Sequence, residues 1–197
     1  MPRRSSAAEA RSSVERLLEV ARSLAAATGR LTFAGVAYVY NPLEYAWPVY
    51  ERYVRAFGGG PKEAVLVGMN PGPFGMTQTG VPFGEVGLVR DWMKLDGPIG
   101  APRKEHPKRP VLGFACTRSE VSGKRLWGAV ARAHPDPETF FARAFVLNYC
   151  PLLFLAEGGA NLTPDKLTAK DRGALEAVCD DHLRRALEIL APRQVLG

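Results

Sequence analysis

The chain has 197 residues, 46% of them apolar and 23% charged, which suits one globular domain with a sizeable core and excludes several. Its formal charge of +6 favours a polyanionic partner, although a charge of this size is also common in proteins that never touch nucleic acid. Three scattered cysteines, Cys116, Cys150 and Cys179, exclude a disulfide framework and read as reduced, buried thiols; no apolar run reaches membrane-spanning length, and the first six residues lack a signal core.

Residues 1–12 are small and polar and are expected to form a disordered start, with a single domain over 13–197. An organelle presequence is the alternative for this Arg-rich, Ser-rich end, but Glu9, Glu15 and Glu19 weaken it. The spacing predicts a helix over 13–26, with Val14, Leu17, Leu18, Ala21, Leu24 and Ala25 on one face. Residues 33–40 alternate and are aromatic until Asn41-Pro42 breaks them. A second helical pattern over 43–57 carries Leu43, Trp47, Tyr50, Val54 and Phe57 and stops at the Gly58–Pro61 run. Residues 64–67 are wholly apolar and read as a strand buried on both faces.

The stretch that follows, GMNPGPFGMTQTGVPFGEV over 68–86, is too rich in Gly and Pro to continue as strand or helix. A stiff loop at the carboxyl end of a buried strand lies where open α/β sheets bind ligands; a plain strand-to-helix connection is the other reading. A helix over 85–94 would then point its amino terminus, and Glu85, back at that site. Residues 97–110 crowd Arg103, Lys104, His106, Lys108 and Arg109 among prolines, as a phosphate-contacting loop or merely a solvated one. A strand is expected over 111–115, a helix over 122–133 and a wholly apolar strand over 144–147 ending in Asn148. Two asparagines, Asn70 and Asn148, thus leave the carboxyl ends of two strands and can meet in one crevice, though either alone could be a turn residue. Thr168 and Asp171 start a long helix that buries Leu175, Val178, Cys179, Leu183, Ala186, Leu187 and Leu190 and ends at Pro192; residues 194–197 open a last strand. Strands alternating with helices predict a parallel-type α/β sandwich.

The 68–86 string resembles the first motif of the uracil-DNA glycosylase superfamily, in particular that of its single-strand-selective monofunctional members. Asn148-Tyr149-Cys150-Pro151-Leu152, followed by Asn161-Leu162-Thr163-Pro164, is similar to a second block of that family, and the likeness runs from about residue 32 to the last. The resemblance implies a three-layer α/β/α sandwich around a central, mainly parallel four-stranded sheet. It implies excision of uracil, and of 5-hydroxymethyluracil, from single- and double-stranded DNA, starting base-excision repair without cutting the strand. It assigns water positioning to Asn70, base reading to Asn148 and base stacking to Phe83, with Met69, Gly72 and Met76 contacting or screening the base. A polar loop carrying Gly158, Gly159, Asn161, Lys166, Lys170 and Arg172 would approach the DNA. No cofactor is implied: other branches hold an iron–sulfur cluster on four cysteines, which three separated ones cannot supply, and no metal is expected. The implied partner is uracil-containing DNA, with no membrane, and the protein is expected to be a monomer. It would work in the nucleoid-bearing cytoplasm of a bacterium or the nucleus of a eukaryote.

One departure stands out. The superfamily's second motif, a His-Pro-Ser-Pro segment after the final strand, is not within these residues. His134-Pro135-Asp136-Pro137 mimics it but precedes the Asn148 strand and reads as a decoy, and neither His106 nor His182 is placed to substitute. The expectation is therefore a chain truncated at its C-terminal end, with little activity in this form. The alternatives are a catalytically impaired module of the same fold that binds DNA or a damaged base, and an enzyme preferring deaminated purines.

Overall fold

The computed structural model describes residues 3–197. Helix α1 spans Arg3–Thr28 and buries the stripe from Val14 to Ala25 that the pattern predicts. It starts well before Ser13, because nothing in this Ala-rich segment is Gly or Pro. Helix therefore replaces the expected disordered start from Arg3 onward, and Met1 and Pro2 lie outside the described residues. Strand β1 is only Tyr38–Tyr40, since Gly35 turns the chain at φ +75°. The single helix expected over 43–57 is two, α2 (Pro42–Tyr45) and α3 (Trp47–Phe57). Pro48 has no N–H for the Glu44 carbonyl and would clash with it, so the chain bends at Ala46.

Strand β2 (Ala64–Gly68) leads into the Gly/Pro-rich loop, which carries a one-turn helix α4 (Met76–Thr79). Residues 85–94 do not form the regular helix expected. They make a π-helical turn, Leu88–Trp92, whose Leu88 amide donates to Glu85 Oε2 at 2.9 Å and which Lys94 ends at φ +57°. The strand expected over 111–115 is also absent. Gly113 adopts φ +59°, and the Leu112 and Gly113 amides donate to Gln78 Oε1 at 2.8 and 3.1 Å, so they have no ladder to join. Then come α5 (Val121–Ala133), α6 (Pro137–Phe141), β3 (Ala144–Asn148), β4 (Leu153–Leu155), β5 (Asn161–Leu162), α7 (Ala169–Leu190) and β6 (Gln194–Leu196).

These make an α/β fold with two small sheets. One is parallel in the order β3-β2-β6, the other antiparallel in the order β1-β4-β5. The parallel sheet among the described residues is thus three-stranded where four strands were expected, because segment 111–115 turns to bracket Gln78 instead. β3 is buried at every residue, whereas Leu66 and Val67 of β2 are half-buried, so the doubly covered strand is the second one. α7 lies along α1, with Leu175, Cys179, His182, Ala186 and Leu190 inward and Val178, Leu183 and Leu187 half-buried.

Aromatic packing holds β3 in place. Tyr53 stacks on Phe145 at 5.0 Å between ring centres, Phe57 stacks on Phe141 at 4.0 Å, and the Tyr53 hydroxyl donates to the Val146 carbonyl at 3.0 Å. Burying each such ring stabilises the fold by about 1.5–3 kcal/mol. The strand that ends in Asn148 is therefore clamped from α3 through its middle residues, which leaves its tip a rigid mount for a functional side chain.

Candidate active site

β2 and β3 run parallel in a register that pairs Gly68 with Asn148, the last residue of each. The ladder continues past both ends: the Tyr149 amide donates to the Gly68 carbonyl at 2.7 Å and the Cys150 amide to the Met69 carbonyl at 2.9 Å. Asn70 and Asn148 are thereby brought to the same edge of the sheet. They line one cleft of about 310 Å³ together with Met69, Gly72, Met76 and Phe83, so the six residues singled out for water, base and stacking contacts meet in a single place.

Asn148 is almost wholly buried, with Nδ2 at 3.2 Å from Met76 Sδ, a weak acceptor, and Oδ1 against Gly68. It therefore offers the cleft one donor face and one acceptor face. Asn70 is oriented by two carbonyls: its Nδ2 donates to Leu152 O at 3.1 Å and to Pro71 O at 3.4 Å. That fixes the amide with Oδ1 turned the other way, where no described residue donates to it, and a carbonyl oxygen so placed can accept from a water.

Phe83 is held at φ +55°, a left-handed conformation that costs a non-glycine residue roughly 1–2 kcal/mol. Its surroundings impose it. Trp127 Nε1 donates to Pro82 O at 3.1 Å, the Glu85 amide to Phe83 O at 2.7 Å, and Thr79 Oγ1 to Gly84 O at 3.1 Å. Gly123 of α5 lies so close to the Phe83 carbonyl that no side chain would fit there. The ring edge then rests on Gly68, beside the Asn148 amide.

No protein-family model matches the chain. A single-strand selective monofunctional uracil DNA glycosylase of Mus musculus is 51% identical over 188 residues, covering 95% of this chain and 67% of that protein. The chain belongs to the single-strand-selective monofunctional uracil-DNA glycosylase family. The Rattus norvegicus relative is 51% identical over 189 residues (95% of this chain, 68% of that one), and the Bos taurus relative 55% over 162 residues (82% and 60%). The chain thus spans about two thirds of the length of these relatives. The crystal structure of Pedobacter heparinus SMUG2 superposes with a TM-score of 0.52 at 19% identity, over 86% of this chain and 70% of that one, a likeness of fold.

In this glycosylase-family chain two cleft residues went unseen in the sequence, Glu120 and Ser122. The Glu120 carboxylate caps α5 by accepting from the amides of Ser122 (3.2 Å) and Gly123. Its side chain packs on Gly75, where an added Cβ would lie 2.7 Å from Glu120 Cγ. An acid two residues before a Ser-Gly helix start was the available signal, and it marks the amino terminus that faces the cleft. That terminus belongs to α5 and not, as expected, to segment 85–94.

Of the residues expected to approach DNA, Asn161 lines the cleft, with Thr163 beside it; Gly158, Gly159, Lys166, Lys170 and Arg172 do not. Gly159, at φ +83°, packs on the His106 ring, Lys166 pairs with Asp165 at 3.0 Å, and Arg172 lies 3.7 Å from Glu176. Both nitrogens of His106 are engaged: Nδ1 accepts from the Lys108 amide at 3.0 Å, so Nε2 carries the proton donated to Glu157 O at 2.9 Å. His134 lines a recess with Ala64, Ala144 and Gln194, the first residues of β2, β3 and β6, at the far end of the sheet from Asn70. His182 is buried in α7, and burial depresses its pKa to about 4. Lys62, whose pKa burial lowers to about 8, donates to Phe141 O at 2.7 Å, two residues before the start of β2 and away from the cleft. Among the described residues no three His, Cys, Asp or Glu side chains gather as a metal site.

Proposed function

We propose that this protein excises uracil from DNA by hydrolysing the N-glycosidic bond of a nucleotide extruded into the Asn70–Asn148 cleft. The observation that carries the reading is the convergence of Asn70, Asn148 and Phe83 on one cleft at the carboxyl edge of β2 and β3. Extrusion costs a few kcal/mol of unstacking, and an aromatic platform returns about 1–3 kcal/mol of it. Phe83 supplies that platform. Asn148 accepts from the ring N–H of uracil through Oδ1 and donates to a ring carbonyl through Nδ2, a pattern that cytosine cannot match.

Chemistry then follows from what Asn70 is. A neutral amide cannot take a proton, so the water it holds on Oδ1 attacks late, after the C1′–N1 bond has largely broken. The bonding pair leaves with N1 of uracil, the water oxygen bonds to C1′, and the water's proton passes to solvent or to the departing base. The cleft's part is to stabilise the uracil anion with fixed donors and to exclude bulk water. Among the described residues no lysine lines the cleft, which supports cleavage without a covalent imine to the sugar and with the strand left whole. The same reading takes a single α/β/α domain over 13–197, DNA contacts by the loop from Gly158 to Arg172, and 5-hydroxymethyluracil as a second substrate. The test is incubation of the protein with a single strand carrying one uracil. Free uracil and an alkali-labile, otherwise unbroken strand support the reading; retention of the strand with no base released rejects it.

A further inference from the structure

Phe74 sits between Pro73 and Gly75 in the loop that walls the cleft, and two guanidinium groups converge on its ring. Arg118 Cζ lies 4.1 Å from the ring centre and Arg109 Cζ 5.8 Å from it. The two arrive from different segments, Arg109 from the basic 97–110 stretch and Arg118 from the chain just ahead of the Glu120 cap. A cation over an aromatic face is favourable, but two like charges gathered on one ring repel.

Among the described residues neither arginine makes an ion pair. The acids nearest along the chain are engaged by backbone amides: Glu105 accepts from Val111 at 2.8 Å, and Glu120 caps α5. Arg109 donates from one terminal nitrogen to Lys108 O at 3.0 Å and keeps its Nε–H buried without a protein partner. Two preset, uncompensated cations one residue outside the cleft wall call for an anion from outside the protein. Beside them in the chain stand exposed Leu112 and Val121, three residues after Arg109 and Arg118 respectively, with Met69 exposed on the cleft lip.

Resting on the reading of the cleft as a uracil site, we propose that the Arg118–Phe74–Arg109 stack is a phosphate clamp. It grips the DNA backbone on one side of the extruded nucleotide. Phe74 fixes both guanidinium groups, so the clamp positions the strand and carries no base preference.

The test is binding of a labelled oligothymidylate with one stable abasic analogue, followed by anisotropy from about 50 to about 200 mM salt. Wild type is compared with Arg118→Gln, Arg109→Gln and the double variant. Arg118 is exposed, so its variant keeps the fold and carries the test even if partly buried Arg109 does not tolerate change. The slope of log K against log salt falls in magnitude by about 0.7 for each phosphate of the single strand that a variant no longer neutralises. In uracil release, KM rises severalfold while kcat stays. An unchanged slope in folded Arg118→Gln overturns the clamp. Because the probe holds no uracil, that result stands apart from failure of the glycosylase reading, which would show as wild-type protein that binds the strand and releases no base.

Discussion

Asn148 and Phe83 meet over the one residue between them that has no side chain: a Cβ on Gly68 would lie 2.5 Å from Asn148 Oδ1 and 2.6 Å from two carbons of the Phe83 ring. The amide proposed to read the base and the ring proposed to stack on it are thus packed as one unit on the tip of β2. Gly68→Ala must push one of them aside. A misplacement of about 1 Å at a reacting centre costs on the order of 10²-fold in rate, and overpacking costs typically 1–3 kcal/mol. We expect kcat/KM for uracil release to fall by about that factor with a modest drop in thermal midpoint; full activity in the variant would mean the two groups are not so coupled.

Asn70 is expected to matter for rate and little for affinity. In the proposed mechanism its Oδ1 holds the attacking water, whose position is worth most in the transition state, so Asn70→Ala should lower kcat by about 10²–10³ with KM nearly unchanged. Because an amide does not titrate, the wild-type kcat profile should show no ionisation that vanishes in the variant. A loss carried wholly by KM would place Asn70 in ground-state binding instead.

Glu120 joins the α5 cap to the Gly72–Gly75 wall. Removing an N-cap costs about 0.5–2 kcal/mol, so Glu120→Ala should lower stability by that amount in urea melts. Glu120→Gln keeps an oxygen for the Ser122 amide and should recover most of the loss. Equal destabilisation by both would show that the charge, and not the cap, is what the helix needs.

Much of this was legible in the residues. Apolar runs marked β2 and β3, and parallel pairing then required their ends, and so Asn70 and Asn148, to share an edge. What was not legible depended on long-range partners. Gln78 takes the amides of Leu112 and Gly113 out of any sheet, and nothing local in segment 111–115 announces that. Pro48 should have signalled the break between α2 and α3, but the aromatic period masked it. Glu120 was invisible as a cleft residue because a cap is read along its own helix, whereas its position against Gly75 is a tertiary fact.

His182 should make the fold acid-sensitive. It is buried in α7 with Nδ1 unpartnered, and burial holds its pKa near 4 against 6.5 in the unfolded chain. The unfolded state therefore takes a proton that the folded state refuses, so stability is full above about pH 6.5 and falls as pH drops toward 4, by about 3 kcal/mol in all. Denaturant melts of wild type and His182→Leu across that window should diverge, the variant showing the flatter profile. Parallel profiles would contradict this.

The most direct test of the cleft as a uracil site is single-turnover uracil release by wild type and Asn148→Ala from a single strand, with thermal melts alongside. Leaving the buried edge of the base unpaired should reduce release by about 10⁴-fold or more while the melting midpoint stays close to that of wild type. A folded Asn148→Ala protein that releases uracil at the wild-type rate would contradict the assignment.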